Sequence, residues 1–365
     1  VTGGSNGAPY AGLITREQEP LNLESPFANL DDQITPDNLF YVRNHFPVPQ
    51  IDIAEWRLTV SGAVARSVVL TYDELRALPS KTVMATLECA GNGRVYLVPK
   101  AKGTMWGQGA VSNAQWTGVP LSVLLEKAGI NAGAVDVVLE GADRGEVDEP
   151  KSPGPIHFAR SLPLEKAMKD EVIIAYAMNG EPLAPNHGYP VRAVVPGWYG
   201  MASVKWLARI IVTNTAFQGY WQTLEYVSWR REDGLPVLAP LGETQIKSQI
   251  ARPAEYETVG AGSQYRVHGA AWSGESPVSR VELSCDGGDS WDPVALTDAP
   301  VPFAWCRWEY LWSVPQAPGR PSLLTRATDE AGNAQPDHRD PDRRNYMINH
   351  VVPVEIEIRW TPAGS

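Results

Sequence analysis

From residue 55 to about 245, short β-branched apolar runs alternate with amphipathic and polar stretches. Residues 55–64 alternate apolar and polar positions, the period of a half-buried strand. Thr71-Tyr72-Asp73-Glu74 is a capping box that opens a short helix, and Pro79 ends it. Residues 121–128 carry helical periodicity after Gly118-Val119-Pro120. Residues 135–140, 172–178, 191–195 and 208–213 are apolar and β-branched, which predicts buried strands. Residues 1 to about 50 are irregular and rich in Pro, Asn and Asp, with 1–35 read as an extension.

The pattern changes near 245–262, where Ala251-Arg252-Pro253 and Gly260-Ala261-Gly262-Ser263 suggest a linker. Beyond it, strand-like runs at 264–272, 278–285, 308–314, 322–329 and 352–360 are separated by turns. Asp286-Gly287-Gly288-Asp289-Ser290-Trp291 and Asp329-Glu330-Ala331-Gly332-Asn333 are hairpin-type turns. Regular short strands over about a hundred residues predict an immunoglobulin-like β-sandwich. The expectation is an α+β chain: a mixed domain over 1–245 and an all-β domain over 246–365.

A length of 365 residues suits two domains. With 31 basic against 42 acidic residues the formal charge is −11, which argues against nucleic acid as the main partner. It leaves room for a small anion held by a local arginine cluster. No run approaches the roughly 18 apolar residues that a membrane span needs. Val1 with its polar leader suggests a processed N-terminus. Cys285 and Cys306 could pair in an exported protein or remain two buried thiols.

Three segments carry candidate chemistry. Leu87-Glu88-Cys89-Ala90-Gly91-Asn92-Gly93-Arg94 sets one cysteine among small residues, with an arginine five positions later. Small residues admit a bulky ligand, a thiolate binds a soft metal, and a guanidinium holds an anion. The alternative is a buried structural cysteine in a Gly-rich turn. Asn186-His187-Gly188-Tyr189-Pro190-Val191-Arg192 and Pro196-Gly197-Trp198-Tyr199-Gly200-Met201-Ala202-Ser203-Val204-Lys205-Trp206 offer the charges and donors a phosphate needs. Scattered surface charges would look similar. No P-loop, Rossmann fingerprint, zinc ribbon or Cys-x-x-Cys-His haem motif occurs.

Taken with Tyr41-Val42-Arg43-Asn44-His45-Phe46-Pro47-Val48-Pro49, these ordered segments resemble the sulfite oxidase family of molybdenum enzymes. The resemblance runs from about residue 35 onward and includes a C-terminal immunoglobulin-like dimerisation domain. It implies molybdenum with a pyranopterin (molybdopterin), bound through the Cys89 thiolate. His45, His187, Arg192, Ser203 and Lys205 match positions that hold the pterin and its phosphate, and Asp143 a pterin-side acid. Arg43, Arg94, Trp106 and Tyr226 match residues of the substrate-anion pocket. Core packing is the alternative for Trp106 and Tyr226.

Gly93 stands where several relatives carry an arginine, and Lys102 either raises the nearby potential or faces solvent. Some relatives extend an arginine from the second domain into the site; Arg307 is the nearest candidate here. The implied activity is oxidation of sulfite to sulfate by oxygen-atom transfer, with electrons leaving singly to an external acceptor. The chain carries no haem motif, so a separate cytochrome c is the implied acceptor and a periplasmic or otherwise exported location is expected, with a cytoplasmic one as alternative. The C-terminal Ala363-Gly364-Ser365 is no peroxisomal tripeptide, which favours a dehydrogenase over an oxygen-using oxidase. The resemblance also implies a homodimer formed through the C-terminal domain. The competing readings are sulfane-sulfur oxidation or sulfoxide reduction on the same cofactor, a cysteine hydrolase using Cys89, and a non-enzymatic interaction protein.

Overall fold

The alternating run around residue 60 folds as the strand Leu58–Gly62, which buries Leu58 and Val60 completely. Described here is a computed structural model covering residues 10–360. The expectations drawn from Val1 and from Ala363-Gly364-Ser365 lie outside the described residues. Leu58–Gly62 belongs to a five-stranded sheet ordered Val68–Leu70, Leu58–Gly62, Leu207–Thr213, Asp136–Gly145, Ile156–Pro163. Leu207–Thr213 runs parallel to Leu58–Gly62, and the other pairs are antiparallel.

A second sheet is ordered Glu181–Pro182, Ile173–Met178, Val111–Pro120, Lys81–Glu88, with Arg192–Val194 also paired to Ile173–Met178. The helix Leu121–Ala128 forms where its periodicity predicts. It buries Leu121, Leu124, Leu125 and Ala128, one apolar stripe that joins Val60 and Ile174 of the two sheets in a common core. The helix Tyr72–Arg76 carries both halves of its capping box: the Thr71 hydroxyl accepts from the Glu74 N–H, and the Glu74 carboxylate from the Thr71 N–H.

Two four-stranded antiparallel sheets, with a parallel pair of Thr258–Gly260 and Glu357–Arg359, make the second domain. One is ordered Lys247–Arg252, Gln264–Trp272, Cys306–Ser313, Ala295–Leu296; the other Asp292–Pro293, Val278–Ser284, Ser322–Asp329, Val354–Glu355. Val267, Trp308, Val281 and Leu323 meet between them. An α+β domain followed by an all-β sandwich is the expected architecture.

Three details differ from the sequence reading, and a fourth, at Cys285 and Cys306, decides between alternatives it left open. Residues 247–252 are a strand of the second domain rather than linker: Lys247 and Gln249 turn toward Glu88 and Gln108 of the first domain, while Ser248 bonds Thr325 and Gln335 of its own. The expected strand at 352–360 breaks at Ile356 into Val354–Glu355 and Glu357–Arg359, which pair with different strands. Cys285 and Cys306 are not bridged. Arg307 does not reach inward: Asp298 holds its guanidinium at 2.8 Å and the Asp31 carbonyl takes another N–H. The described part of the N-terminal extension packs onto the first domain, where Glu24 accepts from the Gly107 and Gly109 N–H groups.

Candidate functional site

Strand Lys81–Glu88 becomes fully buried over its second half and delivers Cys89 at its end. The Cys89 N–H donates to Ala110 O at 2.9 Å, and Cys89 O accepts from the Asn92 N–H at 2.8 Å. The thiol is thereby set at the mouth of a tight turn, in the wall of a cavity. Arg43, His45, Asp143, His187, Arg192, Ser203, Lys205 and Tyr226 line the same cavity. Residues drawn from six separate stretches of sequence thus converge.

His187 closes a 3-10 turn, Pro185–His187, and Gly188 follows at φ +105°. That conformation favours glycine, and a Cβ there would crowd Arg192 and Lys205 from 3.0 and 3.1 Å. His187 Nε2 donates to Asp37 O at 3.0 Å, which leaves Nδ1 as an acceptor. Burial pulls its pKa down to about 3, so the ring is neutral. Arg192 donates to His187 O at 3.1 Å and Ser203 O at 3.0 Å, tying the two Gly-bearing loops together. The Ser203 hydroxyl accepts from the Val195 N–H at 3.0 Å.

Lys205 Nζ donates to Asn186 O at 2.9 Å and to Asn44 Oδ1, and lies 4.3 Å from the Trp206 ring centroid. Burial, together with Arg192 and Arg43, holds its pKa well below the usual lysine value, against the pull of Asp143. Asp143 is the one carboxylate in the wall, and its Oδ1 has no hydrogen-bond partner among the described residues. Burial pushes its pKa up to about 7, opposed by Lys205.

His45 stacks on Phe158 with centroids 4.6 Å apart, and its Nε2 lies 2.6 Å from the Tyr226 hydroxyl. Burial, then Arg43 and Lys205, keep the His45 ring neutral at ordinary pH. Burial raises the Tyr226 pKa to about 12, so its hydroxyl keeps its proton. Arg43 donates to Asn44 O and, at 3.3 Å, to Asn22 Oδ1 of the N-terminal segment.

Two expected site residues stand behind the wall rather than in it. Arg94 donates to Thr104 O at 2.6 Å and to Asn345 O at 3.3 Å, and its guanidinium lies 5.5 Å from the Tyr346 ring centroid. Trp106 is wholly buried beside Cys89, Leu87 and Trp116, and its Nε1 has no hydrogen-bond partner among the described residues. Lys102 is mostly exposed and pairs with Glu149 at 3.0 Å, the solvent-facing alternative.

Sequence reasoning passed over Asn44 and Asn186, which anchor Lys205. Asn44 lies inside the quoted run between Arg43 and His45, so that signal was at hand. It also passed over Arg160, Glu88, Lys247 and Tyr346, whose roles depend on the second domain or on burial.

The wall fits a molybdenum–pterin group on chemical grounds. A single thiol offers one soft ligand, Arg43, Arg192 and Lys205 suit an anionic phosphate, and the orphaned Asp143 oxygen suits a heterocycle rich in N–H donors.

Comparison with known proteins agrees. The family described as oxidoreductase molybdopterin binding domain matches residues 45–221, and the Mo-co oxidoreductase dimerisation domain matches 240–358. Mitochondrial sulfite oxidase of Rattus norvegicus is 36% identical over 95% of this chain and 66% of its own length. Sulfite oxidase of Gallus gallus is 36% identical over 91% of this chain and 74% of its own. The chain therefore spans slightly under two thirds of the rat relative. The crystal structure of the sulfane dehydrogenase SoxCD from Paracoccus pantotrophus superposes with a TM-score of 0.80 at 29% identity, covering 96% of this chain and 92% of that one. With a cavity suited to the molybdopterin cofactor and relatives matching along both domains, this chain belongs to the sulfite oxidase family of molybdenum enzymes.

Proposed function

We propose that this chain oxidises sulfite to sulfate: sulfite plus water gives sulfate, two protons and two electrons. The observation that carries the reading is the cavity wall itself, one thiol facing a set of cations with a single carboxylate, Asp143, among the described lining residues. Such a field favours a small oxyanion over a neutral sulfoxide. Molybdenum–molybdopterin supplies the oxygen-atom and two-electron chemistry. Cys89 is its thiolate ligand, while His187, Arg192, Ser203 and Lys205 hold the pterin and its phosphate. Asp143 accepts from the pterin's N–H groups, and His45 lies along the same wall.

Arg43 orients the substrate anion, and Arg94 adds positive potential from behind the wall. Tyr226, kept protonated and tied to neutral His45, offers a hydrogen bond to a substrate oxygen. Electrons leave one at a time to an external acceptor, a cytochrome c in this reading. The chain works as a homodimer through its second domain, in an exported, periplasmic setting.

Sulfite-dependent ferricyanide reduction tests the substrate, using protein from a molybdate-fed host with confirmed molybdenum content. Saturable turnover is the expected result, and none from metal-replete protein would overturn sulfite as substrate. Fractionation of the full-length protein tests the location. The likeness to SoxCD supports a second reading, oxidation of sulfane sulfur, which a persulfide-bearing protein substrate would reveal under the same assay.

A further inference from the structure

Arg160 sits on Ile156–Pro163, two residues after the Phe158 that stacks on His45. Its side chain is buried, with the residue only 1% exposed. Nη1 donates to Trp221 O and Nη2 to Leu241 O at 2.7 Å, while Nε has no partner among the described residues. Neither partner is charged, and Arg160 enters no ion pair among the described residues. Burial lowers its pKa to about 10, with Tyr226 and Tyr346 opposing, so it remains a cation at neutral pH. Its guanidinium carbon lies 5.9 Å from the centroid of Tyr226, which lines the cavity while Arg160 does not.

An unpaired buried cation is costly, and an anion arriving near it lowers that cost. The cavity beyond Tyr226 is where an anion would arrive. From the second domain, the group that packs on Tyr226 is neutral Tyr346, centroids 5.0 Å apart, and Arg307 is held away by Asp298. We propose that Arg160 is a positioning residue of the oxyanion site, seating the Tyr226 ring and strengthening anion binding by its unpaired charge. The first domain thus provides the extra cation that the sequence reading sought in the second. The inference rests on the cavity binding an oxyanion.

The test uses molybdenum-replete holoenzyme and inorganic sulfate as the probe, with Kd measured by equilibrium dialysis. Arg160→Gln is expected to weaken sulfate about tenfold. Its KM for sulfite rises in step, with kcat changed by less than about threefold. Arg160→Lys, which keeps the charge, holds sulfate within about threefold of the parent. Arg160→Met fills the same space and replaces the Gln variant if that one does not load metal. Unchanged sulfate affinity in the neutral variant overturns the inference. So does equal loss in the Lys and neutral variants, which would assign Arg160 to carbonyl bonding alone. A parent holoenzyme that binds no sulfate overturns the oxyanion reading itself.

Discussion

Glu88, the residue before Cys89, is ion-paired at 3.0 Å with Lys247 of the second domain, and both side chains are buried. The other Glu88 oxygen accepts from Trp272 Nε1 at 2.9 Å, also a second-domain group, and Asn92 Nδ2 adds a bond from the cysteine turn. Lys247 Nζ further lies 3.8 Å from where a side chain on Gly93 would begin. A second-domain cation therefore stands beside Gly93 of the cysteine turn. The strand that delivers the thiol is fixed by a domain otherwise matched to dimerisation.

Removing one partner of such a pair leaves a buried charge unmatched. Lys247→Met should destabilise the chain by about 3–5 kcal/mol. The double variant Glu88→Gln with Lys247→Met should recover most of that loss, since it strands no charge. Urea denaturation of the four proteins in the cycle measures both numbers. A loss under about 1 kcal/mol for the single variant would mean that the pair does not hold the domains together.

Gly91 makes room for Arg94. A Cβ on Gly91 would fall within 3.0 Å of three atoms of that guanidinium, which Thr104 O and Asn345 O already hold. Gly91→Ala should therefore displace the charge while leaving the surrounding strands intact. The expected result is a rise of about tenfold in KM for sulfite with normal molybdenum loading. An unchanged KM would remove Arg94 from anion binding.

How much of this was legible follows from where each signal lives. The cysteine turn and the His187 loop announce themselves locally, because glycines beside charged groups are unusual in any short window. The helix Leu121–Ala128 shows its buried stripe directly in the spacing of its leucines. Strand Lys81–Glu88 does not, since it passes from half-exposed to wholly buried along its length and its alternation fades. The hairpin of Val227–Glu232 and Leu235–Pro240 went unread for the opposite reason: it is largely exposed and lacks a buried face. Lys247 lay in a stretch read as linker, and Tyr346 follows a run of charged residues that looks like a surface loop. Nothing in a sequence distinguishes Arg43 in the cavity wall from Arg94 behind it.

Cys89→Ser replaces a soft thiolate with a hard, weakly acidic hydroxyl. Turnover should fall by at least about a hundredfold. The pterin should stay bound, because His187, Arg192 and Lys205 still line the cavity. Pterin fluorescence after oxidative release, set beside the rate, separates the two effects. Near-normal turnover in the serine variant would exclude Cys89 as the metal ligand.

Asp143 gives the cofactor-free chain a pH signature of definite sign. Burial raises its pKa from 3.8 to about 7, so the folded state holds that proton more tightly than the unfolded chain. Its contribution is fully present below about pH 4 and is lost as pH rises through about 7, a change of about 4 kcal/mol. His187 acts in the opposite sense: its pKa falls from 6.5 to about 3, so its share is present above about pH 6.5 and lost toward pH 3. The two overlap, and only a difference between variants isolates Asp143. Asp143→Asn removes the carboxylate while keeping its shape, and should gain stability over the parent as pH rises from about 4 to 7. In loaded protein a pterin N–H donating to the orphaned Oδ1 would lower that pKa again and flatten the difference. Parallel curves for parent and variant in the cofactor-free state would mean that the carboxylate is not held in its uncharged form.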